Sequence, residues 1–73
     1  MSYCSFGEDS DVSIFRDKDV KRAIWCDWCK LVGPIGFIAL SEQEMIDHLL
    51  EHRRKGHKVP EDAIKRLRNE VPQ

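Results

Sequence analysis

Cys26-Asp27-Trp28-Cys29, followed after eighteen intervening residues by His48-Leu49-Leu50-Glu51-His52, is the pattern on which the reading of this chain turns. Two thiols separated by two residues curl round a common point. Two imidazoles at i and i+4 leave a helix from the same face. Together they make the pair of sulfur and pair of nitrogen donors that a tetrahedral zinc ion takes. Four protein donors close the sphere, so the spacing predicts one structural zinc held by Cys26, Cys29, His48 and His52.

Size makes such a staple valuable. A core drawn from 73 residues, 41% of them hydrophobic, stabilises a fold only marginally. A closed zinc site supplies about 10–16 kcal/mol of apparent binding energy, more than the net stability of many domains. The formal charge of −1 marks the chain neither as a nucleic-acid binder nor as an acidic-surface protein. Its first residues, Met1-Ser2-Tyr3-Cys4-Ser5, lack the basic and apolar character of a secretory leader. The longest apolar stretch, Leu31 to Leu40, is interrupted by Gly33, Pro34 and Gly36 and is too short to span a bilayer. Three cysteines, an odd number, argue against a disulfide framework, and a reducing cytoplasm is the expected location.

Outward from the cysteines, the pattern predicts an α+β fold. Residues 1–10, with Ser5, Gly7, Glu8, Asp9 and Ser10, read as a flexible acidic arm, and residues 11–73 as one zinc-binding domain. Within that domain the metal module spans 22–55 and a C-terminal helix 60–71. Val12 and Ile14, then Ile24 and Cys26, alternate with polar neighbours and suggest two strands joined by a turn at Asp17-Lys18-Asp19. Gly33-Pro34 marks a second turn, and Phe37-Ile38-Ala39-Leu40 reads as a third short strand. Ser41 with Glu44 forms a capping box that opens a helix carrying Met45, Ile46, Leu49 and Leu50 on its apolar face. Arg53, Arg54 and Lys55 sit in the last turn, where the helix dipole favours cations, and Gly56 ends it. Pro60-Glu61-Asp62 opens the next helix, with Ala63, Ile64, Leu67 and Val71 as the stripe that folds back over the rest.

The constellation Cys26-x2-Cys29 … Met45-x2-His48-x3-His52 resembles a two-cysteine, two-histidine zinc finger over residues 26–52. Phe37 and Met45 fall where that family places its aromatic and aliphatic core residues. The resemblance implies a ββα-type unit, here an N-terminal hairpin, the cysteine knuckle and a helix, with the C-terminal helix added. The gap between Cys29 and His48 exceeds the family's usual dozen or so residues, so the loop over the metal is longer. The run from His48-Leu49 through His52-Arg53, Gly56-His57 and Val59-Pro60 to Ala63 and Leu67 resembles small zinc-finger-like proteins of phages that infect actinobacteria. Tyr3-Cys4-Ser5 and Ser10-Asp11-Val12 extend that likeness over nearly the whole chain. Those proteins mostly have no assigned activity, so the resemblance implies an architecture and a host cytoplasm more than a function.

Other residues compete for these roles. His57 lies near the same helix end and is an alternative ligand to His52, although i and i+4 on one continuous helix need no rearrangement past Gly56. Cys4 is either a fifth, competing thiol or a free cysteine in the N-terminal segment. Trp25 and Trp28 either pack round the sulfurs or leave one ring exposed as a partner anchor. His48-x-x-Glu51-His52 also matches an inverted zinc-peptidase pattern with Glu51 as general base. A catalytic zinc keeps an open position, however, and four protein ligands leave none. The expected protein is not an enzyme and has no small-molecule substrate.

Two binding classes remain. If the helix read DNA, its base-facing positions would be Ser41, Glu44 and Asp47, and two carboxylates there repel phosphate. The opposite end differs: Arg53, Arg54, Lys55, Lys58, Lys65, Arg66 and Arg68 face only Glu61 and Asp62, a local net of +5, whereas residues 1–20 carry a net of −3. That basic half can follow a phosphate backbone without reading bases, or can be a solvated helix face. An abundance of large rings and the charge polarity also suit docking on a protein such as a host factor. A protein partner is the primary expectation, non-specific nucleic acid the second, and a membrane is not expected.

Overall fold

A computed structural model of the chain describes residues 2–71. Four strands, β1 (Ser2–Cys4), β2 (Ser13–Arg16), β3 (Ile24–Asp27) and β4 (Phe37–Ala39), precede two helices, α1 (Glu42–Arg54) and α2 (Glu61–Glu70). The strands form one antiparallel sheet in the order β1-β2-β3-β4, and both helices pack on a single face of it. This is the α+β architecture expected from the sequence, with the C-terminal helix in place. No helix among the described residues is long and apolar enough to cross a membrane.

Strand register sorts the side chains onto two faces. Ile14 lies opposite Cys26, Cys26 opposite Phe37, and Ile24 opposite Ala39. These residues face the helices, where Met45, Ile46 and Leu49 of α1 and Ala63, Ile64 and Leu67 of α2 complete the core. The intervening residues make a second row: Ser2 opposite Phe15, Phe15 opposite Trp25, and Trp25 opposite Ile38. Neither helix covers that outer row. The Phe15 and Trp25 rings lie parallel across it with centroids 6.2 Å apart, while the indole N–H donates to Asp17 Oδ2 at 3.0 Å.

The cysteine knuckle lies between β3 and β4, the second and third of the strands expected from the sequence, so the ββα unit around the metal site is β3, β4 and α1, and the expected N-terminal hairpin, β2–β3, extends it. Two expectations need correction. Most of the supposed acidic arm is ordered: Ser2–Cys4 pairs with β2, and Gly7 and Ser10 exchange backbone hydrogen bonds at 3.1 and 3.2 Å. Register shifts by one residue between Ser2 and Cys4, which lets Tyr3 turn into the core beside Cys4. A three-residue strand carries too little alternation to be seen in a segment of serines and acids; burial of one aromatic ring is what anchors it. Met1 of that arm, and residues 72 and 73 of the expected domain, lie outside the described residues. Finally, Leu50, expected on the apolar face of α1, is exposed.

The ends of α1 follow its sequence. Ser41 Oγ accepts from the Glu44 amide at 3.1 Å, and the Glu44 carboxylate reaches back to the Leu40 amide, one residue earlier than an ideal capping box. Gly56, at φ +86, takes the left-handed conformation that turns the chain out of the helix. The return segment is then tied to the sheet side: the Asp11 amide donates to the Lys58 carbonyl at 2.8 Å, and the Lys58 amide to Asp11 Oδ2 at 2.7 Å.

Candidate metal centre

Each half of the site is built by a different element. Cys26 is in β3, and the chain then turns sharply so that Cys29 comes back beside it. Trp28 makes that turn with a φ of +49, a left-handed conformation rare for a bulky side chain. The Gly33 amide donates to the Cys29 carbonyl at 2.8 Å and closes the loop. Gly36, at φ +96, passes so near that a Cβ there would lie 2.7 Å from the Cys26 carbonyl oxygen. From the other side α1 presents His48 and His52 one turn apart.

The four side chains converge as the spacing predicts. Their donor atoms all lie within 4.8 Å of one another, and Cys26, Cys29 and His52 are buried. Nε2 of His52 is 3.5 Å from Cys26 Sγ, 3.4 Å from Cys29 Sγ and 3.1 Å from His48 Nε2, while His48 Nε2 is 3.3 Å from Cys29 Sγ. A tetrahedral ion with bonds of about 2.3 Å to sulfur and about 2.0–2.1 Å to nitrogen has edges of about 3.6 Å between unlike donors and about 3.3 Å between nitrogens. The spacings observed are those edges, slightly contracted. Those four spacings, with all four donors inside 4.8 Å, fit a single metal ion.

The chemistry of the donors agrees. Burial, and then the neighbouring His48 and His57, hold His52 down to about 4, and burial lowers His48 as well, so both imidazoles are neutral and have lone pairs to offer at neutral pH. Burial, and then Cys29 beside it, push the Cys26 thiol far above its ordinary range. A buried thiolate is unfavourable there unless a cation stands next to it, which is what a metal ion supplies.

Around the ligands the expected partners are rearranged. Phe37 stacks flat on His48, with centroids 4.0 Å apart and planes 7° from parallel, and so fixes the plane of the imidazole. Neither tryptophan packs round the sulfurs: Trp25 belongs to the outer face of the sheet, and Trp28 is 63% exposed. His57, the alternative ligand, is outside the cluster. Its Nδ1 lies 2.8 Å from Nδ1 of His52, the ring nitrogen that points away from the site. Cys4 is also outside it, packed against the core with its sulfur 3.7 Å from Ser10 Oγ, and burial raises its thiol. Glu51 is within 3.4 Å of Arg54 on the helix surface.

No protein-family model matches the chain, and no curated protein or solved structure matches it. The geometry alone carries the assignment of a metal centre.

The basic residues are less available than their sequence suggests. Arg53 donates to the Val59 carbonyl and to Glu61, Lys58 Nζ donates to the Glu8 carbonyl, and Arg66 donates to the Ser2 carbonyl while lying over the Tyr3 ring. Lys55, Lys65 and Arg68 are exposed and have no side-chain hydrogen bond among the described residues. Ser41 and Glu44 are taken up by the cap, and Asp47 accepts from Gln43 at 3.0 Å.

Sequence reasoning missed a second polar centre. Arg16 reaches from β2 to Glu42 at the start of α1 and to Glu70 at the end of α2, both at 2.8 Å, and also donates to the Tyr3 hydroxyl, which itself bonds Glu70. No local signal betrays this group, because its four members are scattered from residue 3 to residue 70.

Proposed function

We propose that this chain is a non-enzymatic binding module, ordered by one structural zinc ion, that docks on a protein partner. Two sulfur and two nitrogen donors in a tetrahedral arrangement favour zinc over harder cations. A sphere filled by four protein side chains has no position for a water nucleophile, and Glu51 lies on the helix surface beside Arg54 rather than among the four donors. The likeness to small phage proteins makes a factor of an actinobacterial host the partner of choice.

The observation that carries the docking reading is where the large apolar side chains remain. Trp28, Val32 and Ile35 are 63%, 60% and 88% exposed on the knuckle loop. Trp28 is there in a left-handed conformation that glycine would adopt at lower cost, so stability alone does not account for a tryptophan. The outer row of Phe15, Trp25 and Ile38 adds a second apolar surface. Nucleic-acid binding is the weaker reading, since the helix positions that would face bases are engaged within the cap and on the helix surface, and several cations of the basic half are held internally.

Two measurements discriminate. Zinc-loaded protein titrated at low salt with random duplex and single-stranded DNA is expected to show no strong binding. Capture from an actinobacterial lysate is expected to retain one protein in near-equimolar amount, lost with Trp28→Ser or Ile35→Asp although both variants keep their metal. Tight DNA binding whose salt dependence falls when Lys65 and Arg68 are neutralised would reverse the order of the two readings.

A further inference from the structure

His57 has a place in the metal centre although it is not one of the four ligands. A neutral imidazole that binds a metal through Nε2 must carry its proton on Nδ1, and that N–H needs an acceptor. At His52 the group 2.8 Å from Nδ1 is Nδ1 of His57. Two ring nitrogens at that distance make one good hydrogen bond only if one is protonated and the other is not. With His52 as the donor, His57 must hold its own proton on Nε2 and present a lone pair at Nδ1.

The surrounding backbone keeps His57 where it is. Immediately after α1, Gly56 turns left-handed, and the His57 amide then donates to the His52 carbonyl at 2.9 Å. On the far side the next residue, Lys58, accepts from the Asp11 amide and donates its own amide to the Asp11 carboxylate, and Arg53 holds the Val59 carbonyl at 2.8 Å. The chain reversal after α1 thus returns His57 to the flank of His52, in the last turn of that helix.

We propose that His57 is a positioning residue for the metal centre: by accepting from His52 Nδ1–H it selects the tautomer and sets the ring rotation that aim His52 Nε2 at the ion. This inference rests on the zinc reading given above. His48 has its plane fixed differently, by the flat Phe37 ring, so the two imidazoles are oriented by unlike means. Loss of the acceptor leaves His52 free to rotate or to change tautomer, and each alternative places no lone pair at the site.

The test uses the full chain loaded with one equivalent of zinc, as wild type, His57→Leu and His57→Asn. Leucine fills the space without an acceptor, whereas the asparagine side-chain oxygen falls near the position of Nδ1. Competition against a chromophoric chelator is expected to show zinc held about 10–100-fold more weakly by His57→Leu, with most of the loss recovered in His57→Asn. In wild type, nitrogen-15 NMR is expected to show a slowly exchanging proton on His52 Nδ1 coupled through the hydrogen bond to His57 Nδ1. That measurement decides the matter even if the leucine variant fails to fold. Equal zinc affinity in wild type and His57→Leu, or a metal-bound His52 without a protonated Nδ1, overturns the role of His57 and leaves the zinc reading intact. A wild-type protein that takes up no zinc overturns both.

Discussion

Gly36 shows how closely a single residue can control the centre. Its φ of +96 is one that residues with side chains rarely adopt, and the space where a Cβ would go is occupied by the Cys26 carbonyl oxygen. Neither obstacle is a flexible side chain that can swing away. Gly36→Ala is expected to destabilise the metal-loaded protein by about 1–3 kcal/mol, through backbone strain and displacement of Cys26. A zinc-loaded variant that unfolds at the wild-type denaturant midpoint would show that the β3–β4 approach is not constrained as described. The same scale separates what is legible from what is not. Cys26, Cys29, His48 and His52 can be picked out because ligand chemistry and spacing are both local properties. The side of His52 on which His57 lies cannot, because it depends on the conformation of Gly56 and on where the following segment is tied.

At the scale of elements, a polar group reinforces the joints that the apolar stripes make. Arg16 holds β2 to the first residue of α1 and to the last residue of α2, while its other donors reach Tyr3 on β1 and the Lys21 carbonyl in the β2–β3 turn. Glu42 and Glu70 converge on one guanidinium, and both would lose their counter-charge without it. Arg16→Ala is expected to cost about 1–3 kcal/mol, the upper part of the range for a partly exposed network, with β1 the first element to loosen. Hydrogen exchange checks this: amides of β1 should lose protection before those of β3 and α1. Uniform loss across the sheet would mean that Arg16 serves general stability and does not hold a particular joint. The helices themselves were readable from caps, apolar spacing and terminal glycine, β2 and β3 from alternation, and β4 from a short apolar run after a turn. β1 was not, since three residues around one tyrosine acquire meaning only against β2.

Across the whole molecule, the centre links protonation to folding. His52 and His48 are both held below their ordinary range, mainly by burial, so the folded chain resists their protonation. A group depressed in this way contributes its stability above its unfolded value, near 6.5, and loses it as pH falls toward the folded value, about 4 for His52. That window amounts to about 3 kcal/mol for His52 alone. Proton uptake by the released thiolates acts in the same direction when a metal is present. Bound zinc and the tryptophan fluorescence of the fold are therefore expected to disappear together between about pH 6.5 and pH 4, more steeply than one proton allows. Retention of both at pH 4 would contradict the coupling. What the sequence by itself determined is the ligand set, the α+β class and the helix boundaries, because donor type, periodicity and capping act within a few residues. Tertiary structure alone decided that β1 pairs with β2 and buries Tyr3, that Phe15, Trp25 and Ile38 share an uncovered face, and that Arg16 and His57 meet their partners. Those outcomes depend on strand register and chain reversal, which are settled by packing between segments far apart in the chain.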